Sequence, residues 1–198
     1  MPAELVLIGA SAEMLSLSRQ LGLCVTAVCD PIFQDGATWL GLPAFNEDEV
    51  CLTQLSPPKV VIAIDHPPAR HKVHQFYADR GIEIVSLIGG RLGDKVIFGS
   101  GLVMQFLTNL SEGATVGEGV RLNIGANVMH DAYLGNFVTI APGATVLGNV
   151  TLGDGVYIGA NATILPNVHV GENAMVGAGA VVTSNVKAGS VVKGVPAR

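Results

Sequence analysis

The sequence predicts two units: an α/β N-terminal domain of Rossmann-like type, then a left-handed parallel β-helix. Three observations carry this. Aliphatic residues recur every six positions from Val116 to Val182 without a break, and the residue four places after each is Ala or Val. A period of six fits neither the 3.6 spacing of an α-helix nor the two of a simple strand; it fits a coil with short straight faces and two inward positions per face. A longer period lies beneath it. The residue after the aliphatic is Gly at 117, 135, 153 and 171, but Met129, Leu147, Leu165 and Thr183 in another set, so the pattern repeats every eighteen residues and three hexapeptides make one triangular coil. Asp131, Asn149, Asn167 and Asn185 fill one corner column of that set, where a left-handed backbone is tolerated. Before the repeat, apolar runs alternate with helical segments, as in a doubly wound parallel sheet.

Taken in order, Leu5 to Ile8 is a short buried strand, and Gly9-Ala10-Ser11-Ala12-Glu13 turns into a helix reaching Leu21, with Gly22 placed to end it. Cys24 to Cys29 is a second strand closing on Asp30. Asn46 and Glu49 form a capping pair for a short helix to about Leu55. Lys59 to Ile64 is a third strand, Pro67-Pro68 opens a helix to Arg80, and Ile82 to Ile88 is a fourth strand. The expected division is 1–88 for the α/β domain, 89–97 for a Gly-rich charged linker, 98–188 for the β-helix and 189–198 for a C-terminal tail. Phe98, Met104 and Leu110 extend the phase backwards with looser inner positions, as an imperfect first coil would.

Composition narrows the function. Hydrophobic residues make up 49% of the 198, yet no run of eighteen apolar residues exists, so the β-helix core accounts for them and no membrane insertion is expected. Met1 to Gly9 is too short for a signal peptide and lacks its basic start. A net charge of −5 argues against nucleic acid as a partner. Cys24, Cys29 and Cys51 are odd in number and lack metal-ligand spacing, which fits reduced thiols in a cytoplasmic protein.

Two groups of residues carry chemistry. The Gly9 to Glu13 turn stands where an α/β domain receives phosphates, and Asp30, twenty-one residues after Gly9, stands where an acidic side chain accepts from a ribose hydroxyl. Ser11 and Met14 occupy positions where a dinucleotide fingerprint wants Gly, so NAD is not expected; a mononucleotide or nucleotide sugar remains open. Asp65-His66 closes the third strand at the same sheet edge. In the repeat, His169 ends its hexapeptide and is read as facing solvent. His130 lies on the corner whose neighbours Met129, Leu147 and Leu165 are apolar although they point outward, as a subunit contact requires. Asp131 is adjacent, and Gly148 stacks over His130 one coil later. A base beside a backbone donor in a cleft suits acyl transfer.

The hexapeptide array, with the Met129-His130-Asp131 corner and the ending Gly194-Val195-Pro196-Ala197-Arg198, resembles the bacterial acyltransferases that use acetyl-CoA. Joined to a small α/β domain, it is similar to their sialic acid O-acetyltransferase and nucleotide-amino-sugar N-acetyltransferase branch. That resemblance implies His130 as catalytic base, Asp131 as the acidic residue beside it, Asn123 near the acceptor amine and Gly148 as the amide holding the thioester carbonyl. It also implies a homotrimer with acetyl-CoA between neighbouring β-helices, against Leu147 and Leu165. The acceptor would be a nucleotide sugar or sugar held by Gly9, Ser11, Asp30, Asp65 and His66, with no metal. Ser11, Asp30 and Arg70 match the branch. Ser11-Ala12-Glu13-Met14 replaces its Gly-rich turn with a His, and Asp65-His66 replaces its Gly-Asn. Sugar O-acetylation and a non-catalytic, nucleotide-binding trimeric scaffold are the alternatives. A zinc carbonic anhydrase on the same fold needs three ligands around one ion, whereas His130 and His169 occupy different hexapeptide positions and no third His follows.

Overall fold

A computed structural model describes residues 5–34, 36–46 and 59–198. The chain forms two compact units, Met1–Leu87 and Ile88–Arg198.

In the first unit, β1 (Leu5–Ile8) is buried along its whole length, because it pairs in parallel on both sides, with β2 (Val25–Cys29) and β5 (Lys59–Ile62). Between β1 and β2 runs α1 (Ala12–Gln20). Ser11 caps it by accepting from the Met14 N–H, and Glu13 and Arg19 complement the helix dipole at its two ends. Gly22, at φ +76°, closes the helix by donating to the Arg19 carbonyl. Beyond β2 lies a hairpin absent from the sequence reading: β3 (Thr38–Trp39) is antiparallel to β4 (Leu42–Phe45), and β4 is parallel to β2. The sheet order β3-β4-β2-β1-β5 places the change of winding direction between β1 and β5. After β5, α2 (Pro67–Ala78) starts on its two prolines and buries Arg70, His74 and Tyr77 along one face. The capping pair Asn46/Glu49 and its helix fall largely outside the described residues.

The expected fourth strand over 82–88 reduces to one bridge, Ile84 to Val60. Leu87–Ile88 pairs instead as the first rung of a β-helix face, beside Val103–Met104, so the chain has left the α/β sheet by that point.

The second unit is a left-handed parallel β-helix of three stacked faces, built from strands of two residues each. Neighbouring rungs are offset by eighteen residues, as in Asn127↔Thr145 and Thr145↔Thr163. The inner aliphatic and Ala/Val positions from Leu102 to Val186 form one continuous buried core. Burying each Val, Leu or Ile there is worth about 1.5–3 kcal/mol. The corners are made by a left-handed residue at every sixth position from Lys95 to Gly179. These are mostly Gly and Asn, the residues that adopt that conformation most easily.

Three expectations need correction. Residues 89–97 are not a linker: Arg91–Leu92 and Ile97–Phe98 pair with Asn109–Leu110 and Thr115–Val116 as rungs of the first coil. Nor are residues 189–198 a free tail, since Val191–Val192 pairs with Met175–Val176 and the Ala197 N–H donates to the Val181 carbonyl. Asn185 lacks the left-handed conformation that Asp131, Asn149 and Asn167 have. Its corner is two residues short, so Val186 lies beside Val170, not beside Val168. Both are inward positions, which is why the apolar spacing alone does not reveal the shortening.

Candidate active site

His130 and Asp131 form the corner that follows strand Asn127–Val128. Asp131 takes φ +57°. Its N–H donates to the Glu112 carbonyl of the coil before, at 3.0 Å, while the His130 carbonyl accepts from the Asn149 N–H of the coil after, at 3.1 Å. The corner is thus tied to both neighbouring coils by backbone bonds. His130 Nδ1 lies 2.9 Å from Asp131 Oδ2. A carboxylate only accepts, so this bond calls for the tautomer with a proton on Nδ1 and a free lone pair on Nε2. Both side chains are more than half exposed.

Gly148 stacks directly over this imidazole. A β-carbon on it would come within 2.7 Å of His130 Cε1 and Nε2. Its carbonyl accepts from the Asn167 N–H, and among the described residues its own N–H has no hydrogen-bond partner. His130, Asp131 and Gly148 are therefore brought together as one corner. Met129, Leu147 and Leu165 run beside it as a partly buried apolar edge. Asn123 is on a different corner, just before the residues that lead into strand Asn127–Val128, and is half-buried. His169 is exposed, as expected, and its N–H donates to Asn185 Oδ1.

One coil before His130, Glu112 receives the Ser111 hydroxyl at 2.6 Å and forms an ion pair with Arg91. The bond from Ser111, its own backbone and Arg91 hold the Glu112 carboxyl down from 4.5 to about 2. Arg91 also donates to Asn109 Oδ1 at 2.9 Å.

In the first unit, the loops after β1, β2 and β5 share the carboxyl edge of the sheet. Gly9, at φ +99°, packs so closely on the third loop that a β-carbon would touch Ile64 and Ala63. Asp30 spans two loops: Oδ2 accepts from the Ala10 N–H at 2.8 Å and Oδ1 from the Ile32 N–H at 3.0 Å. The side chain expected to meet a ribose thus also holds the turn in shape. Ser11 is engaged as the α1 cap. Buried Arg70 donates to the carbonyls of Ile64 and Asp65, fixing the third loop, while Asp65 and His66 are exposed. Among the described residues no cluster of three His, Cys, Asp or Glu could hold a metal ion.

The family model for the bacterial transferase hexapeptide (six repeats) matches residues 113–148 and 149–184. The acetyltransferase domain of PglB from Neisseria gonorrhoeae FA1090 is 28% identical, with 98% of each chain covered and a TM-score of 0.90. PerB from Caulobacter crescentus, solved with CoA and GDP-perosamine, is 26% identical over 100% of this chain and 97% of its own, with a TM-score of 0.89. WeeI from Acinetobacter baumannii AYE is 31% identical, with 99% of each chain covered and a TM-score of 0.90. The chain belongs to the hexapeptide-repeat sugar acetyltransferases. No curated protein matches it. The PglB domain has also been solved with acetyl coenzyme A.

For this acetyltransferase, the sequence reading missed Glu112 and Gly113, which lie eighteen residues before His130 and Asp131. The eighteen-residue period that pointed forward to Gly148 would have found them if applied backwards.

Proposed function

We propose that the protein transfers the acetyl group of acetyl-CoA to the exocyclic amine of a nucleotide-linked amino sugar. The observation that carries this reading is the His130–Asp131 pair, with its free Nε2 against Gly148. The likeness to PerB, solved with CoA and GDP-perosamine, supports the substrate class. Nε2 takes a proton from the amine as its nitrogen attacks the thioester carbonyl. The oxygen of the tetrahedral intermediate gains charge and accepts from the Gly148 N–H. Collapse breaks the C–S bond, and the imidazolium returns its proton to the departing thiolate. General-base help of this kind contributes about 10²–10⁴ in rate.

Asn123 would approach the amine from its own corner. The α/β unit would hold the nucleotide at the β1–β5 switch point, through the Gly9 to Ser11 turn, Asp30, Asp65 and His66, as ligands bind at carboxyl edges of parallel sheets. The apolar edge of Met129, Leu147 and Leu165 favours a homotrimer with acetyl-CoA against Leu147 and Leu165. The free, exposed thiol of Cys24 fits a cytoplasmic setting. No helix among the described residues is long and apolar enough to cross a membrane.

The test is a panel of nucleotide-linked amino sugars and hydroxyl-only analogues incubated with acetyl-CoA and read by mass. One acetyl group on the amine of an amino sugar is the expected result. Acetylation of the hydroxyl analogues alone would replace this reading with sugar O-acetylation. Binding of nucleotide without any transfer would leave a scaffold.

A further inference from the structure

Asp131 meets His130 from above a residue that has no side chain. Asp131 sits over Gly113, and a β-carbon on Gly113 would lie 2.6 Å from Asp131 Oδ1. One oxygen of the carboxylate thus fills the notch left by Gly113 while the other, Oδ2, meets His130 Nδ1 at 2.9 Å. The Asp131 backbone cannot retreat from that notch, because its N–H is bonded to the Glu112 carbonyl directly beneath. A side chain at 113 would have to turn the carboxylate about its own axis, and both oxygens would move together.

The notch is a recurring device of this fold. Asn161 extends over Gly143 and Asn173 over Gly155 in the same way. At those corners the side chain only lines the stack; at 131 its second oxygen holds an imidazole. From this geometry we infer that Gly113 is a positioning residue for acetyl transfer: it sets the Asp131 carboxylate, which sets the tautomer and angle of His130. The inference rests on the reading of His130 as the base.

Gly113 has φ +70°, so any substitution adds backbone strain to the lost notch. Two comparisons separate them. Gly179 has φ +68° with open space around it, so Gly179→Ala carries the strain alone. Asn is the residue this fold places in the left-handed conformation at 149, 161, 167 and 173, so Gly113→Asn removes the notch with little strain and remains foldable.

The readout that needs no substrate is the ¹⁵N spectrum of the His130 ring in the full-length protein. Wild type should show the Nδ1–H tautomer. Gly113→Ala and Gly113→Asn should both shift it toward the tautomer mixture of free imidazole, as Asp131→Asn does, while Gly179→Ala leaves it unchanged. In turnover with acetyl-CoA and an amino sugar identified by the panel, kcat should fall about tenfold with the acetyl-CoA KM unchanged. Adding Gly113→Ala to Asp131→Asn should cost no more than about twofold further, since both act through one bond. A wild-type tautomer in both Gly113 variants, or full additivity with Asp131→Asn, would overturn the inference. If the tautomer shifts but His130→Ala keeps normal turnover, Gly113 still sets the ring and the acetyl-transfer reading is what fails.

Discussion

The imidazole of His130 lies against the α-carbon of Gly148, so close that a β-carbon there would come within 2.7 Å of Nε2. Gly148 does not have a positive φ, so it is not glycine for the sake of the backbone. Gly148→Ala therefore places a methyl group on the ring without straining the corner. The ring must swing aside, carrying Nε2 from its place while the fold is kept. A loss of about two orders of magnitude in kcat is expected, approaching that of His130→Ala, with the thermal midpoint changed little. Steady-state kinetics beside a melting curve check both halves. Near-normal turnover in Gly148→Ala would mean that Nε2 is not the reacting atom.

Glu112 gives the β-helix a signature at acid pH. Its carboxyl is held from 4.5 down to about 2 by Ser111, its own backbone and Arg91. A group whose folded pKa is depressed adds stability above its unfolded pKa and loses it as pH falls through the folded value. The contribution of Glu112 should thus be present above about pH 4.5 and gone near pH 2. Chemical denaturation of wild type and Glu112→Gln should separate above that window and converge at its lower end. The gap should shrink in high salt, because the pair with Arg91 is exposed.

The β-helix was legible because each six-residue face repeats one constraint: two inward apolar positions and a left-handed corner. That periodicity located His130, Asp131 and Gly148 on one corner without any side-chain detail. It failed where two inward positions are interchangeable, as at Val186, and where rungs carry exposed Leu92 and Ile97 in place of buried aliphatics. The β3–β4 hairpin escaped notice for another reason. Its two turn residues, Leu40 and Gly41, both have positive φ, and Leu is a poor sequence signal for that conformation. In the α/β unit, the role of Asp30 was read from its spacing, but its bonds to the Ala10 and Ile32 amides depend on loop geometry that spacing does not carry.

The apolar edge beside the corner makes a prediction about assembly. Met129, Leu147 and Leu165 each keep part of their apolar surface in water, and covering it would be worth about 25 cal/mol per Å². Analytical ultracentrifugation should give a trimer. Leu147→Glu should dissociate it and abolish turnover, since it puts a charge into the covered surface. A monomer with full activity would show that the corner works without a partner.

Asp30 is the residue through which the α/β unit can be tested. Its carboxylate already holds the amides of Ala10 and Ile32, so it organises the two loops that would receive a nucleotide. Each oxygen keeps acceptor capacity for a ligand hydroxyl beyond the bond it makes. Asp30→Ala removes both functions, while Asp30→Asn keeps one acceptor oxygen and loses the charge. If the unit binds the nucleotide end of the acceptor, the acceptor KM should rise about tenfold in Asp30→Ala and less in Asp30→Asn. The acetyl-CoA KM should stay put, because the loss is confined to acceptor binding. A melting curve for each variant shows that the sheet survives. Unchanged kinetics in Asp30→Ala would make the domain a structural appendage, and the acceptor would then have to be recognised by the β-helix alone.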